Sequence, residues 1–77
     1  MDIKVLFFGQ LTDITGSSAV TIPLITDTDH LLELLKNKYP ALDSAKFVLA
    51  VNKKQVTCNT LIDSNSSIVL MPPFSGG

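Results

Sequence analysis

Apolar and polar positions along this chain change period several times, and each change marks an element. Ile3 to Phe8 is a β-branched and aromatic run interrupted by Lys4, which predicts a first strand. "GQLTDITG" places Leu11 and Ile14 three residues apart between two glycines, which predicts one helical turn stopped by Gly16. "SSAVTIPLI" then alternates at Val20, Ile22 and Leu24. Pro23, on the opposite parity, makes this an edge strand, because proline cannot donate to an interior ladder.

The longest helical period comes next, in "TDTDHLLELLKNKYP". Thr28 is the expected N-cap and Asp29 sits in the first turn. Leu31, Leu32, Leu34 and Leu35 form a broad apolar arc, Lys36 and Lys38 lie near the C-terminal end, and Pro40 stops the helix. "FVLAVN" is a continuous β-favouring run, "KKQVTC" turns back from it, and Ser66 to Met71 form a last strand ending at Pro72. Two strands, one long helix and then several strands describe an α+β domain with a single helix laid across one face of a mixed sheet. That is the plan of the ubiquitin-like β-grasp, here spanning residues 1–77 as one domain with 72–77 as a protruding tail.

In such a sheet only one face is covered, so apolar residues should alternate with polar ones. The terminal strands disobey. On the first, Ile3, Val5 and Phe7 share one parity and Lys4, Leu6 and Phe8 the other; on the last, Val69 and Met71 oppose Ile68 and Leu70. In a β-grasp these two strands lie side by side at the centre of the sheet. Leu6, Phe8, Val69 and Met71 would then form one outward apolar patch, the usual mark of a partner site. A twist of the sheet with loops folded over it would hide the same residues.

"MPPFSGG" adds the candidate chemistry. Pro72 and Pro73 remove two successive backbone donors and favour polyproline II, so the ladder should stop there and the chain leave stiffly. At about 3.1 Å per residue, Pro72 to Gly77 would span roughly 18 Å, enough to reach a pocket in another protein. Phe74 would anchor the tail in a partner or fold back on its own domain. With Ser75, Gly76 and Gly77 it makes a segment that tapers to nothing beside the terminal carboxylate, which could be threaded through a narrow tunnel. Activation of that carboxylate by ATP to an acyl-adenylate would let sulfur or an amine displace AMP.

Composition narrows the alternatives. The chain has 77 residues, 45% hydrophobic and 17% charged, room for one modest core. Six Lys against seven Asp and Glu give a net charge of −1, so no global field favours nucleic acid or an anionic membrane. Lys53 and Lys54, with Lys46 nearby, read as a solvated turn. A single cysteine, Cys58, and the lack of metal-ligand spacing suit a reducing compartment. Cys58 itself reads as a small buried hydrophobe, and His30, with no evident acid or base partner, as a surface residue. The apolar stretch Val5–Phe8 is too short for a signal peptide, so the cytoplasm is the expected location.

Taken together, "IKVLFFGQL", "AVN" at Ala50 to Asn52 and "MPPFSGG" resemble the small sulfur-carrier subunit of molybdopterin synthase, the MoaD type, over the whole chain. The resemblance implies that Gly77 is adenylated by a partner similar to a ubiquitin-activating enzyme, which uses the ATP, so that the carrier holds no permanent cofactor. Gly77 would then be thiocarboxylated from a sulfur donor and inserted into the large synthase subunit. There sulfur would pass to cyclic pyranopterin monophosphate, the two subunits forming a heterotetramer. The chain would thus be a sulfur-donating subunit without an active site of its own. It departs from the family pattern at Thr12, where many relatives have Arg, and at Gln55, where they have an apolar residue, so the resemblance carries no ion pair or added apolar contact to those positions. The residues leave three other readings open: a carrier for thiamine or cysteine synthesis, a ubiquitin-like protein modifier, and an interaction module with an inert tail.

Overall fold

The computed structural model of the chain describes residues 1–73. Five strands and two helices are arranged in the order β1 (Asp2–Phe7), α1 (Leu11–Thr15), β2 (Ala19–Pro23), α2 (Thr28–Lys38), β3 (Val48–Val51), β4 (Lys54–Val56) and β5 (Ile68–Met71), with a 3₁₀ turn at Pro40–Ser44 after α2. The strands form one sheet in the order β2-β1-β5-β3-β4. β1 and β5 are parallel and every other pairing is antiparallel, so the sheet is mixed. β2 is an edge strand, which is where Pro23 can be tolerated.

The core lies between α2 and one face of the sheet. Val5, Phe7, Leu31, Leu35, Ile68 and Leu70 are each 0% exposed, with Ile3, Ile22, Leu49, Val51 and Ile62 packed among them. Leu11 of α1 and Leu42 of the 3₁₀ turn join this layer where those two short elements pack against each other. Tyr39, at the end of α2, meets Phe7 edge-to-face with ring centroids 6.1 Å apart. Leu31 and Leu35, one turn apart, are the deepest part of the helical arc; Leu32 and Leu34 flank it half-buried.

Several local details differ from the sequence-based expectation. β5 begins at Ile68, two residues after the expected start at Ser66, because Ser66 turns back to bond Asp63. Asp27, not Thr28, caps α2: its backbone is extended and its Oδ1 accepts the His30 N–H at 3.0 Å. Thr28 lies inside the helix at 3% exposure, its hydroxyl donating to Asn59 Oδ1 and accepting from the Thr60 N–H. Phe8 falls one residue beyond β1, although its N–H still donates to the Leu70 carbonyl at 3.0 Å. Cys58 is exposed, not buried, because β4 ends at Val56 and the chain leaves the sheet before reaching it. Gly16 does stop α1: it adopts φ +78°, and its N–H closes on Thr12 O at 2.8 Å.

Candidate functional site: the uncovered sheet face and the base of the tail

Strand pairing decides which side chains stand together on the face away from α2. Leu6 is in register with Val69 across the parallel β1–β5 pair, and Val69 is in register with Ala50 on β3. Met71 faces Val48. Side chains at paired positions project to the same side of a sheet. Leu6, Val69, Ala50, Met71 and Val48 therefore make one apolar surface opposite the core layer of Val5, Phe7, Ile68, Leu70 and Leu49. Lys4 and Thr21, which pair with each other, continue the same face beyond Leu6 as a polar rim, and Gln55, in register with Ala50, is an exposed polar rim at the β4 side.

Burial within the surface is graded. Leu6, Val69 and Met71 are half-buried by their register neighbours, so they are less open than strict alternation implies, whereas Phe8 is 50% exposed. Ala50 is only 5% exposed although it does not belong to the helix-side cluster; a methyl between Val69 and Gln55 is small enough to be covered by its neighbours. The sequence marks Ala50 only as part of the "AVN" motif and assigns neither it nor Val48 to this face. The continuous apolar run "FVLAVN" carries no alternation from which their side could be read, and pairing with β5 supplies the missing parity.

The tail leaves from the same place. β5 is the middle strand of five, and its last residue, Met71, is on the uncovered face. Pro72 comes next, half-buried against Gly9, and Pro73 is exposed. Phe74, Ser75, Gly76 and Gly77, the rest of the expected reactive segment, lie outside the described residues.

Other candidate groups lie away from this region. His30 is exposed but does have an acid partner: Nδ1 is 2.6 Å from Asp27 Oδ1. That hydrogen bond, with the Asp27 charge, pushes the imidazole above its ordinary 6.5, while the His30 backbone N–H and then the ring and Asn59 hold Asp27 below 3.8. Asn59 Nδ2 donates to Asp27 Oδ2 at 3.2 Å and its Oδ1 accepts the Asp29 N–H at 2.9 Å, so the pair belongs to a clamp between the start of α2 and the loop at Asn59–Leu61. Thr12 donates its hydroxyl to Gly9 O at 2.8 Å. Lys53 sits in the β3–β4 turn at φ +70°, beside Asn52 at φ +54°. Among the described residues no group of three or more His, Cys, Asp or Glu is placed to hold a metal ion, and no helix is long and apolar enough to cross a membrane.

One helix packed on a five-stranded mixed sheet, with parallel first and last strands at its centre and an apolar outer face where the last strand ends, defines a ubiquitin-like β-grasp domain. A solved structure from Pyrococcus furiosus, provisionally named molybdopterin converting factor, subunit 1, superposes with a TM-score of 0.85 at 20% identity, covering 96% of this chain and 99% of that one. The chain belongs to the ThiS family, whose model matches residues 5–77. It is 33% identical to the molybdopterin synthase sulfur carrier subunit of Dictyostelium discoideum, over 96% of this chain and 94% of that protein. It is 31% identical to the protein of the same name from Arabidopsis thaliana, over 100% of this chain and 84% of that protein.

Proposed function

We propose that this chain is a sulfur carrier for molybdenum cofactor biosynthesis, the small subunit of a molybdopterin synthase. The observation that carries the reading is its similarity, over nearly its whole length, to curated proteins of that name in two distantly related eukaryotes. The family match running through Gly77 supports assigning the reactive group to that residue.

The chemistry is that of an unhindered carboxylate. A free carboxylate is a poor acyl donor, so an oxygen of the Gly77 carboxylate first attacks the α-phosphorus of ATP held by an adenylating partner, and pyrophosphate leaves. A sulfide-level donor then attacks the acyl carbon and displaces AMP, leaving a thiocarboxylate. Transfer of that sulfur to cyclic pyranopterin monophosphate in the large subunit, with water supplying the replacement oxygen, returns the carboxylate. Gly76 and Gly77 present no side chain to the walls of either partner site. Leu6, Phe8, Val69 and Met71, with Val48 and Ala50, dock the body on those partners, because a rigid apolar face next to the tail can fix the distance and direction from docking surface to reacting atom.

Intact-mass analysis after incubation with ATP, the adenylating enzyme and a sulfur donor tests the reading. Replacement of one oxygen by sulfur is expected, with reversal once the large synthase subunit and its pterin substrate are added. Conjugates of higher mass would instead identify a protein modifier, and reversal only with a thiazole-forming acceptor would identify a thiamine carrier. Deletion of Gly77 should abolish sulfur loading while leaving the melting temperature unchanged, because among the described residues the buried core runs from Ile3 to Leu70 and the last glycine adds no side chain to it.

A further inference from the structure

We propose that Gly9 is the positioning residue for the tail: its missing side chain forms the seat on which the Pro72 ring rests, and that seat sets the direction in which the reactive segment leaves the domain. The inference rests on the sulfur-carrier reading and names a residue outside the tail that the reading did not require.

A Cβ built on Gly9 would lie 2.5 Å from Pro72 Cγ and 3.1 Å from Pro72 Cδ. The first distance is shorter than real Cβ atoms allow, so the ring occupies the space that any other residue would fill. Gly9 cannot readily give way. Its carbonyl accepts both the Thr12 N–H at 3.1 Å and the Thr12 hydroxyl at 2.8 Å, and on the preceding residue the Phe8 N–H is tied to Leu70 and the Phe8 carbonyl to the Leu11 N–H. Pro72 is joined directly to Met71, the last residue of the sheet ladder, so the ring is the first part of the chain free to move. A side chain at position 9 would therefore displace the ring. Because the φ angles of Pro72 and Pro73 are locked by their rings, a change of direction at Pro72 is passed on to the residues beyond it instead of being absorbed there.

Gly9 also has φ +61°, so substitution strains the backbone as well as filling the seat. Gly16 separates the two effects: at φ +78° with nothing among the described residues within 4 Å of its Cβ position, it carries the strain without the contact. The seat therefore predicts different outcomes for two chemically identical changes.

The experiment measures kcat and KM for sulfur loading with this chain as the varied substrate, alongside melting temperatures, for Gly9→Ala, Gly16→Ala, Pro72→Ala and the double variant Gly9→Ala/Pro72→Ala. Gly9→Ala should lower kcat roughly tenfold or more with KM little changed, since a misaimed reacting group loses rate while the docking face is intact. Gly16→Ala should lower the melting temperature and leave kcat alone. The double variant should be no slower than Pro72→Ala, because once the ring's Cγ and Cδ are gone the added methyl keeps only an ordinary contact with Cβ of residue 72, 3.9 Å away. In the unsubstituted protein, an NOE should connect the Gly9 α-protons to the Pro72 ring. Equal kcat losses from the two glycine variants, additive losses in the double variant, or an absent NOE would each overturn the proposal. If Gly9→Ala does not fold, Pro72→Ala alone must show the fall in kcat, and full activity there overturns it equally. The NOE needs no sulfur chemistry, so the two ideas fail differently. A wrong tail reading leaves the NOE in place with an active Gly77 deletion, while a wrong seat leaves no NOE with an inactive one.

Discussion

Phe7 and Phe8 are adjacent and chemically identical, yet one is 0% exposed and the other 50%. They report the two sides of the same sheet. Phe7 points into the layer closed by α2, where Leu31, Leu35 and Tyr39 supply its neighbours; Phe8 lies past the end of β1, next to a surface of Leu6, Val69 and Met71 that no described element of this chain covers. An apolar side chain on the covered face is a stability residue, and the same side chain on the other face is available for recognition. The difference lies not in the residues but in whether the fold provides a lid.

The sharpest test substitutes the pair. Phe7→Ala should destabilise the domain by about 3–5 kcal/mol, the range for removing a buried aromatic ring. That is a large part of the stability of a domain this small, so urea denaturation should show partial or complete unfolding at 25 °C. Phe8→Ala should change folding stability by about 0.5 kcal/mol or less. Its cost should instead fall on association with the large subunit, roughly tenfold or more in Kd by calorimetry, if Phe8 is a central anchor of the interface. Equal stability losses for the two variants would mean that the uncovered face is covered after all.

Much of this contrast is legible in the sequence, because parity along β1 and β5 places Leu6 opposite Val5 and Val69 opposite Ile68 on any flat strand. The element order, with one strong helix among β-favouring runs, is sufficient for the fold. What escapes depends on residues far apart in the chain. Asp27 and Thr28 are both good caps by type, and the choice is made by Asn59 and Thr60, about thirty positions on, which hold Thr28 inside the helix. Val48 and Ala50 acquire a side only through their pairing with β5. Cys58 looks like a core residue until β4 is seen to end two positions before it. The acid partner of His30 is three residues away, and escapes notice because its role depends on Asp27 being the cap.

A smaller change at the sheet margin provides a control. Lys53 holds φ +70° in the two-residue turn Asn52-Lys53 between β3 and β4, where hairpins of this geometry favour Asn-Gly. Asn52 is fixed by two bonds to Ser67, its N–H donating to the Ser67 carbonyl at 2.8 Å and its Oδ1 accepting the Ser67 N–H at 3.0 Å. Only the second turn position is free to be improved. Lys53→Gly should relieve left-handed strain and stabilise the domain by about 1 kcal/mol or less, after the added chain entropy of glycine is deducted. Partner affinity should not change, since Lys53 is outside the apolar surface. A loss of affinity in this more stable variant would extend the docking surface to the hairpin turn.

The smallest expected effect concerns the lid itself. Asp27 and His30 tie the first turn of α2 to Asn59, so their ionisation bears on how firmly the helix seats over the covered face and leaves the other face untouched. Asp27 is held below its ordinary 3.8, chiefly by the His30 backbone N–H, so its contribution is complete above 3.8 and is lost as pH falls through the depressed value. His30 is raised above 6.5, chiefly by its bond to Asp27, with Glu33 and Asp29 adding in the same direction. Its contribution is complete below 6.5 and is lost as pH rises through the raised value. Both are present in full between 3.8 and 6.5. The His30 ring is solvent-facing and its bond to Asp27 is screened accordingly, so the stability difference between the unsubstituted protein and His30→Gln should be small in that window and vanish at higher pH. An NMR titration of the His30 ring should give a midpoint above 6.5, and a midpoint at or below that value would mean that the bond to Asp27 does not persist in solution. Partner affinity measured across the same range should track no such titration, because none of the residues in the clamp reaches the face that lacks a lid.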